Sequence, residues 1–257
     1  MASRGIAFLM YHELEVPGRP LCQSEQGYVR YIIPEAVFSR QMSWLRQNGW
    51  KGLSVSDALS YPSGNALAIT FDDGCETDLL TAAPILKENG FNATFYVTAG
   101  FLGKSGYMSP AQLRQLSSLG FEIGCHSMTH AYLNDLDEPG LRQEVLEARS
   151  NLEDVTGRKV EHFSCPGGRY NAATIKTARE AGYRSLATSH AHLNSRSTDP
   201  FLLGRVAMMR GIHESAFRKI CKGETLWKTR FAEFTRNASR KVLGNNSYDR
   251  IRTFLLR

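Results

Sequence analysis

The chain has 257 residues, of which 42% are hydrophobic and 22% charged, with a formal net charge of +6. That balance excludes a disordered chain and leaves room for one large packed domain or two small ones. No run approaches the roughly 20 consecutive apolar residues of a membrane-spanning helix, and Ile6–Tyr11 is too short for the apolar core of a leader, so the expectation is a first strand of a cytoplasmic chain.

From that strand onward, short apolar runs alternate with longer amphipathic stretches, the pattern of repeated β-α units. The expected strands are Ile6–Tyr11, Leu67–Phe71, Ala93–Val97, Phe121–Cys125, His162–Cys165, Ser185–Thr188 and Arg205–Met209. Between them, Glu35–Asn48 repeats Phe38, Met42 and Leu45 at helical spacing and stops at Gly49. Asp78–Asn89, Ser109–Leu119, Gly140–Val155 and Asn171–Ala181 are likewise read as helices, each followed closely by glycine. The architecture this implies is an α/β fold, a distorted (β/α) barrel of about seven strands over residues 1–223. Residues 224–257 read as an appended basic helical extension. Eight basic residues there, against Glu224, Glu233 and Asp249, place +5 of the +6 in this tail. Such a segment suits an anionic membrane surface at the inner face, a reading that competes with a solvated helical tail. The barrel brings no nucleic-acid module. The five cysteines are scattered without a C-x-x-C pair, so neither a disulfide framework nor a zinc knuckle is expected.

Functional groups of a β/α barrel gather at the C-terminal ends of strands. Here Leu67–Phe71 stops at Asp72-Asp73-Gly74, Phe121–Cys125 stops at His126-Ser127-Met128-Thr129-His130, and the first strand runs into Tyr11-His12-Glu13. Alone, the aspartates read equally as a cap or turn, and the histidines as surface residues. Together, adjacent carboxylates are best separated in role, one taking a cation and one left free as a base. His126 and His130 are four apart, so one helical turn would put both imidazoles on one face. One aspartate and two histidines form a nitrogen/oxygen donor set that suits zinc, cobalt or nickel, with open positions for water.

Thr70-Phe71-Asp72-Asp73-Gly74 followed by His126-Ser127-Met128-Thr129-His130 resembles the first two motifs of the polysaccharide deacetylases, also called the NodB-homology domain or carbohydrate esterase family 4. The resemblance covers roughly residues 5 to 212. It implies a metal-dependent hydrolase that removes N-acetyl groups from amino sugars, with Asp73, His126 and His130 as ligands of one divalent metal and Asp72 as catalytic base. The third motif departs from the family: Ser164 stands where an arginine would steady the base, and Gly167 where a tyrosine is usual. Arg169 follows at once and is a candidate to supply the cation. The family's late Leu-x-His is also missing, and His213 has the wrong neighbours. Ala7-Phe8-Leu9-Met10-Tyr11-His12 and Pro166-Gly167-Gly168-Arg169 are instead similar to elements of the circularly permuted members, the bacterial poly-N-acetylglucosamine deacetylases. That likeness implies His12 as general acid, with Tyr11, Pro166, Gly167, Gly168 and Arg169 around substrate and oxyanion. The substrate expected is an N-acetylated glycan of exopolysaccharide biosynthesis or a lipid-linked amino sugar. Competing readings are a deformylase or other deacylase of a lipid-linked sugar and a non-catalytic carbohydrate- or membrane-binding protein.

Overall fold

The structure, a computed structural model, describes residues 5–61, 64–224 and 226. Ten strands lie among them: β1 Ala7–Tyr11, β2 Leu14–Glu15, β3 Ile33–Pro34, β4 Lys51–Leu53, β5 Ala66–Asp73, β6 Thr94–Val97, β7 Glu122–Cys125, β8 His162–Ser164, β9 Ser185–Ala187 and β10 Val206–Ala207. The main sheet runs β10-β1-β5-β6-β7-β8-β9, every pairing parallel, and β4 pairs with the first half of β5 beside β6. β2 and β3 form a separate parallel pair. Leu203 bridges to Ala187 of β9, while Val206 and Ala207 pair with β1, so one short segment brings the two ends of the curled sheet together. The expected barrel is thus observed, and each of the seven expected strands is present within a residue or two of its ends, except that the last shrinks to Val206–Ala207.

Alternation along the strands sorts the side chains into two layers. Leu67, Ile69, Phe71, Phe95 and Val97 face outward and pack under helices, meeting Phe38, Met42 and Leu45 of helix Glu35–Gln47 and Leu113 and Leu116 of helix Pro110–Ser118. Burying each such side chain contributes about 1.5–3 kcal/mol. The inward set, with Phe8, Ala68, Tyr96, Ala187 and Leu203, fills the barrel against Val55 and Ala58. Helix Val55–Ser60, absent from the expected elements, plugs the N-terminal end of the strands. Its leading N–H groups point at the Glu122 carboxylate, Val55 N donating at 3.1 Å, which satisfies donors that have no partner within the helix. The expected helix Gly140–Val155 begins earlier, at Glu138, because Asp137 caps the chain by accepting from Gly140 N. It closes at Gly157, whose φ of 65° is the left-handed turn a β-carbon would resist. No helix among the described residues is long and apolar enough to cross a membrane.

Candidate active site

The strand ends of β5 and β7 and the residue after β1 converge at one mouth of the barrel. Asp72 continues the inward alternation of Ala68 and Thr70 and is 2% exposed. The same period would send Asp73 to the other face, but its φ of 81° turns the chain there. Gly74 follows at φ 84°, where a β-carbon would come within 2.9 Å of Val97 Cγ1. Asp73 Oδ1 lies 3.6 Å from His126 Nε2 and 3.5 Å from His130 Nε2 and has no hydrogen-bond partner. Three donor atoms of these residues fall within 4.8 Å of one another.

The histidines reach that arrangement differently from the expected helical turn. Residues 126–130 form a loop in which Ser127 and His130 take φ values of 69° and 66°. Glu144, 4% exposed, holds the loop in place of helical hydrogen bonds: its carboxylate accepts from Met128 N at 2.9 Å, Thr129 N at 2.8 Å and the Thr129 hydroxyl at 2.5 Å. Ser127 Oγ accepts from His130 N. Such clustered left-handed backbone at non-glycine residues persists only where surrounding contacts impose it. The Ser164 carbonyl lies 2.9 Å from His126 Nδ1, which sets the tautomer that leaves Nε2 free to ligate. Burial pushes the His126 pKa down to about 4, so the imidazole is neutral, as a metal ligand must be. A carboxylate oxygen without a hydrogen-bond partner, facing two imidazole nitrogens, fits one divalent cation.

Asp72 is paired by a residue that the motifs did not reveal. Arg205, fully buried, donates Nη1 to Asp72 Oδ1 at 2.7 Å and Nη2 to Asp72 Oδ2 at 2.8 Å. It also donates to Ser164 Oγ at 2.7 Å, Thr70 Oγ1 at 3.2 Å and the Thr188 carbonyl at 3.0 Å. Burial by itself would raise the Asp72 pKa; the Arg205 charge, aided by His126, outweighs it and holds the carboxyl well below the usual carboxylate range.

The polysaccharide deacetylase family pattern matches residues 60–186, the stretch that holds both motifs. The chain carries a polysaccharide deacetylase domain. A putative polysaccharide deacetylase of Bacillus subtilis, YxkH, is 29% identical over 218 residues, covering 82% of this chain and 74% of that one. A peptidoglycan-N-acetylglucosamine deacetylase of Bacillus cereus is 32% identical over 124 residues, 48% of this chain and 56% of that one, so the match spans little more than half of that relative. In architecture the domain is similar to the Streptococcus pyogenes deacetylase PplD in complex with acetate, with a TM-score of 0.74, 22% identity and coverage of 87% and 99%.

Within this deacetylase domain the remaining expected residues divide. His12 follows β1, whose register pairs Tyr11 with Phe71, so it comes level with Asp72. The ring stacks near Tyr31 at 5.1 Å, and its buried Nδ1 has no hydrogen-bond partner. Burial lowers the His12 pKa, with Asp73 and Asp72 pulling the other way. Tyr11 does not line the site. It points outward onto Phe38 and Phe71 and gives its hydroxyl to Gln41 at 2.9 Å, because the strand alternation that turns His12 in turns Tyr11 out. Pro166 is buried at the end of β8, Gly167 takes φ 59°, and a β-carbon on Gly168 would meet Ser189 Oγ at 2.5 Å. Arg169 stacks on Tyr132 at 3.5 Å, and the guanidinium on Asp72 is that of Arg205. Ser164 explains the exchange: its short side chain leaves the space into which Arg205 reaches from across the barrel. His213 is exposed at the N-terminus of helix Glu214–Cys221.

Proposed function

We propose that the protein is a metal-dependent amide hydrolase that removes N-acetyl groups from amino sugars of a glycan, either a polysaccharide or a lipid-linked precursor. The family assignment supports a deacetylase of polysaccharide- or peptidoglycan-type substrates. The observation that carries the chemistry is the division between neighbouring aspartates: Asp72 is held by Arg205, while Asp73 faces two imidazoles. Asp73, His126 and His130 would hold the cation, zinc by this donor set, with cobalt or nickel as alternatives. When bound, such a cation is a Lewis acid that acidifies water and polarises an acyl carbonyl.

The chain's own groups then do the proton work. Asp72, ionised at any physiological pH, takes a proton from the attacking water. The N–H of Gly167 donates to the oxyanion that forms on the acetyl group. His12 passes a proton to the departing amine, and its lowered pKa makes the imidazolium a stronger acid for that task. The N-acetylglucosamine named for the Bacillus cereus relative indicates the sugar to test first.

Residues 227–257 of the basic extension lie outside the described residues. We propose that their charge brings the enzyme to an anionic membrane surface, where a lipid-linked substrate would be found.

The decisive experiment measures acetate released from N-acetylglucosamine oligomers and from peptidoglycan, alongside metal per chain. Chelation should abolish release, and zinc or cobalt should restore it. His126→Ala should lose one metal equivalent and all hydrolysis. Acetate release by metal-free protein would refute the mechanism, and release of formate from a formamido sugar instead would point to the deformylase.

A further inference from the structure

A second group of metal-ligating side chains lies just past Gly74. Glu13, Cys22 and Cys75 bring a carboxylate oxygen and two sulfurs within 4.8 Å of one another. Cys22 Sγ is 3.4 Å from Cys75 Sγ, and Cys22 N donates to both Glu13 oxygens at 3.1 and 3.0 Å. Cys22 Sγ also donates to the Gly106 carbonyl at 3.0 Å, and the Tyr28 hydroxyl sits 3.4 Å from Cys75 Sγ. Glu13 is 1% exposed and Cys75 fully buried, while Cys22 is half-buried and open to an entering ion.

An independent observation comes from Asp78. Its backbone N donates to the Cys75 carbonyl at 3.0 Å, so it sits one turn beyond Cys75. The residue is wholly buried, and neither carboxylate oxygen has a hydrogen-bond partner. A buried carboxyl that lacks any donor, one turn beyond Cys75, would be relieved by a cation held nearby.

The two thiols are free and close enough to share an ion. A disulfide requires about 2.05 Å between sulfurs. Tetrahedral zinc, with Zn–S near 2.3 Å, holds its two sulfurs about 3.8 Å apart. The observed 3.4 Å, a thiol–thiol hydrogen-bond contact, is too long for a formed disulfide and within reach of a shared ion.

We propose that Glu13, Cys22 and Cys75 bind a second, structural metal ion of zinc's class, with a position left open to water. Binding releases the protons of both thiols to solvent. The ion ties the loop after β2 to the end of β5, fixing the segment that carries Tyr31 beside His12. Gly106 belongs to the same junction, since a β-carbon there would come 2.8 Å from Cys22 Sγ.

Cobalt(II) tests this on the full chain, purified under reductant and stripped with chelator. Thiolate ligation gives a sulfur-to-cobalt charge-transfer band in the near ultraviolet. Asp73, His126 and His130 offer no sulfur, so the band reports the second site alone and does not depend on hydrolysis. We expect two equivalents per chain, the band rising with one of them. Cys22→Ser with Cys75→Ser should lose the band and one equivalent, and His126→Ala should lose the other equivalent and keep the band. A band with a single equivalent in the wild type would remove the catalytic metal and leave this proposal standing. Cobalt bound with no band, a band that survives both serine substitutions, or a Cys22–Cys75 disulfide in protein purified with zinc and reductant would overturn it. The wild-type spectrum needs no variant, so a misfolded double variant does not blunt the test.

Discussion

Arg205→Met is the most informative perturbation of the deacetylase site, because it keeps most of the side-chain volume and deletes the charge. Five donor contacts of 2.7 to 3.2 Å are lost, two of them to a carboxylate that is 2% exposed. Breaking one side of a buried pair costs about 3–5 kcal/mol, since the remaining charge is left uncompensated. Ser164 Oγ, 3.4 Å from Asp72 Oδ2, offsets little of this. With a urea dependence of about 3 kcal/mol per molar, the unfolding midpoint should fall by roughly 1 M or more. The kinetic effect has a defined sign. With Arg205 present, the Asp72 pKa lies below the ordinary value, so the carboxyl is ionised across any practical assay range. Without it, burial is opposed far less and raises that pKa, each unit amounting to about 1.36 kcal/mol. An acid limb should therefore move up into the measurable range of kcat/KM, with activity recovering as pH rises. The assay is acetate release against pH, alongside urea unfolding followed by circular dichroism. A folded Arg205→Met enzyme with the wild-type midpoint and the wild-type acid limb would refute both the pairing and its role in keeping the base ionised. The same pairing predicts a stability term that is present above about pH 3.9, the unfolded carboxyl value, and disappears as pH falls through the depressed folded value.

Three further outcomes are expected. Asp72→Asn should keep its metal and lose about 10²–10⁴ in kcat, as for removal of a general base; loss of metal instead would reverse the roles of the two aspartates. His12→Ala should retain fold and metal while losing the basic limb of its pH–rate profile. Because burial lowers the His12 pKa, that limb should lie below the pH expected of an ordinary imidazole in the wild type. Protein truncated after Gly223 should no longer sediment with anionic liposomes, whereas the full chain should do so until high salt releases it; equal binding by both would end the membrane reading.

The elements legible in the sequence were those written in local periodicity. Phe38, Met42 and Leu45 at helical spacing gave a helix that ends within a residue of its expected stop, and alternation around Leu67–Phe71 gave β5. Asp73, His126 and His130 were also legible, because Asp73 ends one apolar strand, His126 follows another with His130 four residues on, and the barrel collects strand ends at one mouth. Helix Val55–Ser60 was missed, being too short to show a period, and the loop geometry at 126–130 was misread as a helical turn. Its determinant, Glu144, lies on a different segment and leaves no local mark.

Four features were decided by the tertiary structure. Closure of the sheet places Arg205 beside Asp72, 133 residues away in the chain, and no spacing rule links them. Strand phase, set by which face packs under the helices, turned Tyr11 outward and His12 in. Two cysteines 53 positions apart met because the loop after β2 folds back over the end of β5. Asp78, on the first turn after that strand, was left buried without a donor by the same folding. Residue type and spacing determined the candidate ligands, since a strand end is a local object; which charges pair depends on chain crossings, and only the curled sheet settles those.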